Sequence, residues 1–431
     1  MDSAITTIII VCLMMLLFIT EWLPIAATSI LACLALAVFG VVPITTAFSG
    51  FGNDMLFLIA GMIIIGNALI ETGVAQLLGK KIISIVGTNE WSFDLALIAV
   101  TTIVSLFISN TATLAIMLPI ATSAINESGG KLLKKNTYMM LGIATVVTGG
   151  LTLIGSTPQL IAHSLLSESG YGTISFFEIS KIGLPVFIIM IIYFRTIGRK
   201  LQQKFFTFEE QSTNTTGIDS ISHKKENTKH TKKDIAQMYI SVAALIFCIV
   251  GFITGLWSMG IVAMLGAVIC IAAGCISQKI LFEKMDWTTI IIMACSFSLS
   301  AALDQSGAGR LIAQSVVNLL GYDVSPIILC AALSFVAMLL TNFMSSTATA
   351  ALLVPIAALV AIELDLNVKS VVIATAVAIN LGFTTPISTP PITMTLSGGY
   401  RFKDYIVVGG CLNLLSYILI VILLPIIYRF V

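Results

Sequence analysis

The chain has 431 residues, of which 58% are hydrophobic and only 10% charged. Soluble globular proteins carry about 25% charged residues, so the composition excludes a water-soluble fold and predicts an integral membrane protein built of apolar helices. A net charge of +1 argues against a nucleic-acid partner.

The opening "MDSAITTIII" has no basic n-region, so the first apolar run, 4–20, reads as a retained span and not a cleaved signal peptide. Spans follow near 22–40 and 53–70. A run at 93–122 comes next, then an interrupted run at 137–168 and a span at 178–195. The stretch 196–236 is rich in Lys, Ser, Thr and Asn and reads as a flexible cytoplasmic linker. The second half runs 237–256, 258–277 and 287–303. It then has a long run at 326–362, an interrupted run at 370–399 and a last span at 405–429. Cys12, Cys33, Cys248, Cys270, Cys275, Cys295, Cys330 and Cys411 all lie in these apolar stretches, with no CxxC pair. They read as packing residues, not as disulfides or metal ligands.

The two halves repeat. "SNTATLAIMLPIA" from Ser109 matches "SSTATAALLVPIA" from Ser345. "ALIETG" from Ala68 matches "ALDQSG" from Ala302. "IGSTPQLI" from Ile154 matches "PISTPPIT" from Pro386. Three matches in one order indicate an internal duplication of 1–195 as 237–431.

The runs at 93–122 and 326–362 are too long for simple spans. Thirty helical residues measure about 45 Å, against a hydrocarbon core of about 30 Å. Each carries its hydroxyl cluster at the centre, so each is expected to be a re-entrant helical hairpin with that cluster at its tip. Five full spans per half then make the second half inverted. With both termini outside and the linker cytoplasmic, 18 of the 22 Lys and Arg residues face inward. Counting the hairpins as full spans, with the N-terminus inside, leaves 16 inward, so the positive-inside rule favours the first arrangement. The expected fold is an all-α polytopic membrane protein of two inverted repeats, each with five spans, a hairpin and a broken helix.

Inverted repeats with discontinuous helices are the signature of secondary transporters, whose site lies near the midplane where the repeats meet. The breaks are visible at Gly155 and Pro158, and at Pro386, Pro390 and Pro391. Helix N-termini there favour an anion, while carbonyls, hydroxyls and amides suit a hard cation. The two hydroxyl clusters are therefore expected to form the halves of one pocket.

These residues resemble the divalent anion/sodium symporters, the DASS family of the ion transporter superfamily, over nearly the whole chain. That family has a Ser-Asn-Thr signature at each hairpin tip and a Thr-Pro break in the following helix. The first signature is intact as Ser109-Asn110-Thr111. The second is Ser345-Ser346-Thr347, with the amide lost. The breaks match as Thr157-Pro158 and Thr389-Pro390. The resemblance implies sodium-coupled uptake of a small divalent anion across the cytoplasmic membrane, a dicarboxylate first and sulfate or another oxyanion second. It implies one sodium near Ser105, Ser109, Asn110 and Ser156, and another near Thr341, Met344, Ser346 and Ser388. The anion would touch Ser109, Asn110, Thr111, Thr157, Pro158, Ser345, Ser346, Thr347, Thr389 and Pro390. It further implies an elevator motion against the scaffold of a homodimer, with no cofactor beyond the coupling Na+. Ser346 is shorter than the family's asparagine, and Gln159 and Ile392 stand where an asparagine is frequent. A smaller substrate or one ion fewer would fit these departures.

Acidic residues in or beside spans are functional candidates by default. Glu21 and Asp54 lie at span ends and read as interfacial. Glu71 and Asp304 close the third span of each half and open a second reading, a proton-coupled exchanger, efflux carrier or cation/proton antiporter of the same superfamily. His163 reads as a packed histidine. Trp22, Trp91, Trp257 and Trp287 sit near span ends as an aromatic belt. No GxxxxGK[ST] motif occurs, and no metal cluster or nucleophile–base pair stands out, so neither ATP drive nor an enzyme is expected.

Overall fold

The computed structural model describes residues 3–20, 22–74, 89–128, 131–206, 232–254, 257–320, 325–386 and 388–428, and these contain helices and no strand. The first half comprises α1 (Ser3–Thr20), α2 (Ile25–Val38), α3 (Asp54–Glu71), α4 (Glu90–Ser105), α5 (Asn110–Glu127), α6 (Lys134–Gly149) and α7 (Thr157–Glu168). It closes with α8 (Ser180–Phe205). The second half comprises α9 (Lys232–Thr254), α10 (Met259–Ala272), α11 (Trp287–Gln305), α12 (Ala308–Leu320), α13 (Pro326–Thr341), α14 (Ser346–Glu363), α15 (Val368–Ile379) and α16 (Pro390–Met394). The last helix is α17 (Phe402–Ile427). Most of the expected linker, 207–231, lies outside the described residues, as does Glu21.

Among the described residues, four helices are long and apolar enough to cross a membrane by length and composition: Ser180–Phe205, Ile235–Phe252, Ser346–Glu363 and Phe402–Ile427. Their outer faces explain why the chain needs lipid. Exposed Leu184, Ile188 and Ile192 recur every four residues along α8, and Leu414, Ile418, Ile422 and Ile426 do so along α17. Ile5, Ile9, Leu13 and Leu16 form the same kind of stripe on α1. A helical stripe of this kind normally faces a core; here it faces outward, as a multi-pass membrane fold requires.

The long runs are not single tilted helices. Each is two helices joined by a short turn, α4 and α5 at 106–109 and α13 and α14 at 342–345. Serine starts both returning helices. Ser109 Oγ accepts from the Ala112 N–H at 3.4 Å, and Ser345 Oγ accepts from the Ala348 N–H at 3.2 Å. Each hydroxyl satisfies a backbone donor that the helix itself cannot pair. A proline sits inside each returning helix, Pro119 in α5 and Pro355 in α14.

The interrupted runs are also two helices each. α6 stops at Gly149 and α7 begins at Thr157; α15 stops at Ile379 and α16 begins at Pro390. Pro158 and Pro390 occupy the first turn of the new helix, where their missing N–H costs nothing. The second break is braced by α17, whose π-helical turn Tyr405–Gly409 passes close to it. A Cβ on Gly409 would lie 1.8 Å from the Phe383 carbonyl oxygen, so only glycine fits there. Tyr193 of α8 donates its hydroxyl to the Val408 carbonyl at 2.7 Å. This bond ties the two long helices together at the turn, where the ordinary helical pairing is interrupted.

The halves cross. α7, after the first break, packs on α14 and α15 of the second half, and α16, after the second break, packs on α5 and α6 of the first. Each helix that follows a break therefore packs against the opposite half.

Candidate functional site

At the first tip, Ser105 donates its hydroxyl to Asn110 Oδ1 at 2.9 Å and also lies 3.2 Å from the Thr145 carbonyl of α6. Asn110 lies flat on Gly149, where an added Cβ would fall 2.2 Å from Asn110 Oδ1. The Leu106 carbonyl at the tip accepts from Thr152 of the first break at 2.9 Å. Tip and break are thus fastened as one unit. Ser109 and Thr111 are exposed, Asn110 and Thr157 are half-buried, and Ser105, Ser156 and Pro158 are buried.

The second tip repeats this arrangement with shorter parts. Thr341 Oγ1 and Ser346 Oγ are 2.8 Å apart, in the positions of Ser105 and Asn110. The Ser346 N–H donates to the Ser388 carbonyl at 3.1 Å, and the Ser388 hydroxyl donates to the Gly382 carbonyl. The Ser346 hydroxyl also reaches the Ser388 carbonyl at 3.4 Å, so both its backbone and its side chain tie this tip to the break. Thr341, Met344, Ser346 and Ser388 are buried, Ser345, Thr347 and Thr389 are half-buried, and Pro390 is exposed.

One bond joins the two expected half-sites directly. Ser156, at the start of α7, does not cap its own helix and donates its hydroxyl to Asn380 Oδ1 in the second break. Thr389, the equivalent start of α16, likewise makes no cap, and its hydroxyl has no protein partner. The N–H groups at these two helix starts carry partial positive charge and are not neutralised by their own capping side chains. No Asp, Glu, Lys or Arg occurs in 104–113, 150–160, 341–349 or 380–393. These four stretches are therefore neutral and rich in oxygen atoms, with donor groups at the helix starts. Helix starts of this kind favour anions, and hydroxyl and carbonyl oxygens suit hard cations.

Four positioning residues escaped the sequence reading. Asn342 Nδ2 donates to the Met338 carbonyl at 2.7 Å and the Leu381 carbonyl at 3.0 Å, and its Oδ1 accepts from the Thr384 N–H at 2.9 Å. Thr385 donates to the Asn342 carbonyl. Asn413 of α17 donates to Thr384 Oγ1 at 2.6 Å. Together with Asn380, they stitch the second break to its tip and to α17. The available signal was an amide standing alone in an apolar run, which in a membrane must find partners.

The other candidates lie elsewhere. Glu71 pairs with Lys284 at 2.7 Å, and Asp54 accepts from Ser258 Oγ at 2.8 Å and the Gly260 N–H at 3.2 Å. His163 is buried with Nδ1 2.8 Å from the Ile174 carbonyl. The Asp304 side chain is outside the described residues. Trp22, Trp257 and Trp287 are exposed near helix ends, and Arg195 lies 5.1 Å over the Trp91 ring. Among the described residues no group of His, Cys, Asp and Glu could hold a metal ion.

Comparison with known proteins agrees with this architecture. A model of the citrate transporter family matches residues 15–367. A Haemophilus influenzae protein described as an uncharacterized transporter is 29% identical over 427 residues, covering 94% of this chain and 87% of its own. The sodium-dependent dicarboxylate transporter SdcS of Staphylococcus saprophyticus is 25% identical over 437 residues, covering 94% of this chain and 82% of its own. Its Staphylococcus aureus namesake is 24% identical over 434 residues, with the same two coverages. The crystal structure of the YdaH transporter of Alcanivorax borkumensis superposes with a TM-score of 0.57 over 92% of this chain and 88% of that one, at 14% identity. That likeness concerns the fold alone.

Proposed function

The chain belongs to the citrate transporter family, and from that premise we propose that it takes up a small divalent carboxylate together with sodium. The family and the relatives are transporters and not enzymes. Two relatives carry names for sodium-dependent dicarboxylate transport, which supports the choice of both solute and ion. Sulfate or another oxyanion is the next substrate class.

The observation that carries the proposal is the lack of charge in the tip and break stretches. They contain no basic side chain, so a dianion needs its charge offset by something that arrives with it. Sodium near Ser105, Asn110 and Ser156 would supply that charge, and the Ser105 and Asn110 oxygens already meet at 2.9 Å. The second tip, with Ser346 for asparagine, offers fewer oxygens, and we assign it the weaker ion site. The anion would meet the helix starts at Ser109–Thr111, Thr157, Ser345–Thr347 and Thr389, where the unpartnered Thr389 hydroxyl is free to donate. The tips and breaks would move together as an elevator against a dimeric scaffold in the cytoplasmic membrane.

The proton-driven alternative loses one of its two carriers, because Glu71 is already paired with Lys284. The test is uptake of a labelled C4 dicarboxylate into proteoliposomes under an inward sodium gradient. Accumulation with sodium and not with potassium is expected, and Asn110→Ala should abolish it. Full uptake by Asn110→Ala would overturn the site assignment.

A further inference from the structure

Beside the two helix breaks lies a small cavity. It has a volume of about 20 Å³ and is bounded by Gly150, Gln159, Gly183, Asn380 and apolar side chains that include Val377 and Phe383. Gln159, in the first turn of α7, is 0% exposed, and neither its Oε1 nor its Nε2 has a hydrogen-bond partner. An amide with two donors and an acceptor is costly to bury unmet, and native structures rarely leave one so. A dry cavity is lined by apolar groups throughout, whereas this one has an unpaired amide on its wall.

Asn380 sits on the same wall with capacity to spare. Its Oδ1 accepts from Ser156, and its Nδ2 makes a long contact of 3.4 Å to the Ala376 carbonyl. One lone pair and one N–H therefore remain. The cavity exceeds the roughly 10–15 Å³ that a single water needs. It is far too small for a dicarboxylate. An ion is disfavoured because no residue lining the cavity carries a charge to offset it.

We propose that this cavity is a hydration site whose ordered water bonds Gln159 and joins it to Asn380. Gln159, water, Asn380 and Ser156 then form one polar thread between the two helix breaks. The thread fixes the start of α7 to the second repeat. It depends on the polarity of the cavity and not on which solute is carried.

The test is a structure of the full chain in detergent or nanodisc at a resolution that shows ordered water, for the wild type and for Gln159→Met. The expected result is density within hydrogen-bonding distance of both Gln159 and Asn380 in the wild type, lost in Gln159→Met. An empty cavity with the Gln159 amide turned onto a protein group would overturn the proposal. So would water retained in Gln159→Met, or an anomalous peak in the cavity after exchange into rubidium or bromide. Should Gln159→Met fail to fold, Gln159→Leu serves as the second variant, with the same expected loss and the same contradicting result.

Discussion

Asn110 and Gly149 show how closely the first tip is fitted. A methyl group on Gly149 would collide with the Asn110 amide, and overpacking of this kind costs about 1–3 kcal/mol. Gly149→Ala should therefore lower the melting temperature and remove uptake, whereas a variant with full uptake would show that the amide is not held there. At the second tip, Asn342→Ala leaves buried carbonyl and N–H groups unpaired, at about 1–3 kcal/mol. A thermal melt should show a clear fall, larger than that of an exposed substitution such as Ser397→Ala. The signature hydroxyls and prolines were legible in the sequence because they break an apolar pattern twice in register. Asn342, Asn380 and Asn413 were not, because their importance lies in partners 29 to 224 residues away.

At the scale of elements, chain length pointed to a break within each long run. A run of thirty apolar residues does not fit one span, and the structure resolves each into two helices that meet at the hydroxyl cluster. The crossing of the breaks was harder to foresee, since no local pattern says that α7 packs on α14 while α16 packs on α5. The Tyr193–Val408 bond between α8 and α17 was equally invisible, as it depends on a π-turn that frees a carbonyl. Tyr193→Phe deletes that bond and no apolar volume, so a loss of about 0.5–1.5 kcal/mol is expected. Thermal melting of the variant in detergent measures it; an unchanged melting point would mean that the carbonyl is satisfied otherwise.

At the scale of the whole molecule, composition alone demanded a membrane, and α1, α8 and α17 present apolar stripes outward, as a membrane-embedded chain must. Charge balance supports an orientation with both termini outside. An epitope placed within 207–231 should then be shielded from antibody in intact cells and accessible after permeabilisation; labelling of intact cells would reverse the orientation. The lack of charge in the tips and breaks leads to the central claim, that sodium and a dicarboxylate bind as partners. The most direct measurement is the thermal stability of the purified protein against a panel of anions in sodium and in potassium, since a ligand that binds only the folded state raises apparent stability. A C4 dicarboxylate should stabilise the protein in sodium and not in potassium. Equal stabilisation in both salts, or none with any dicarboxylate, would contradict sodium-coupled binding.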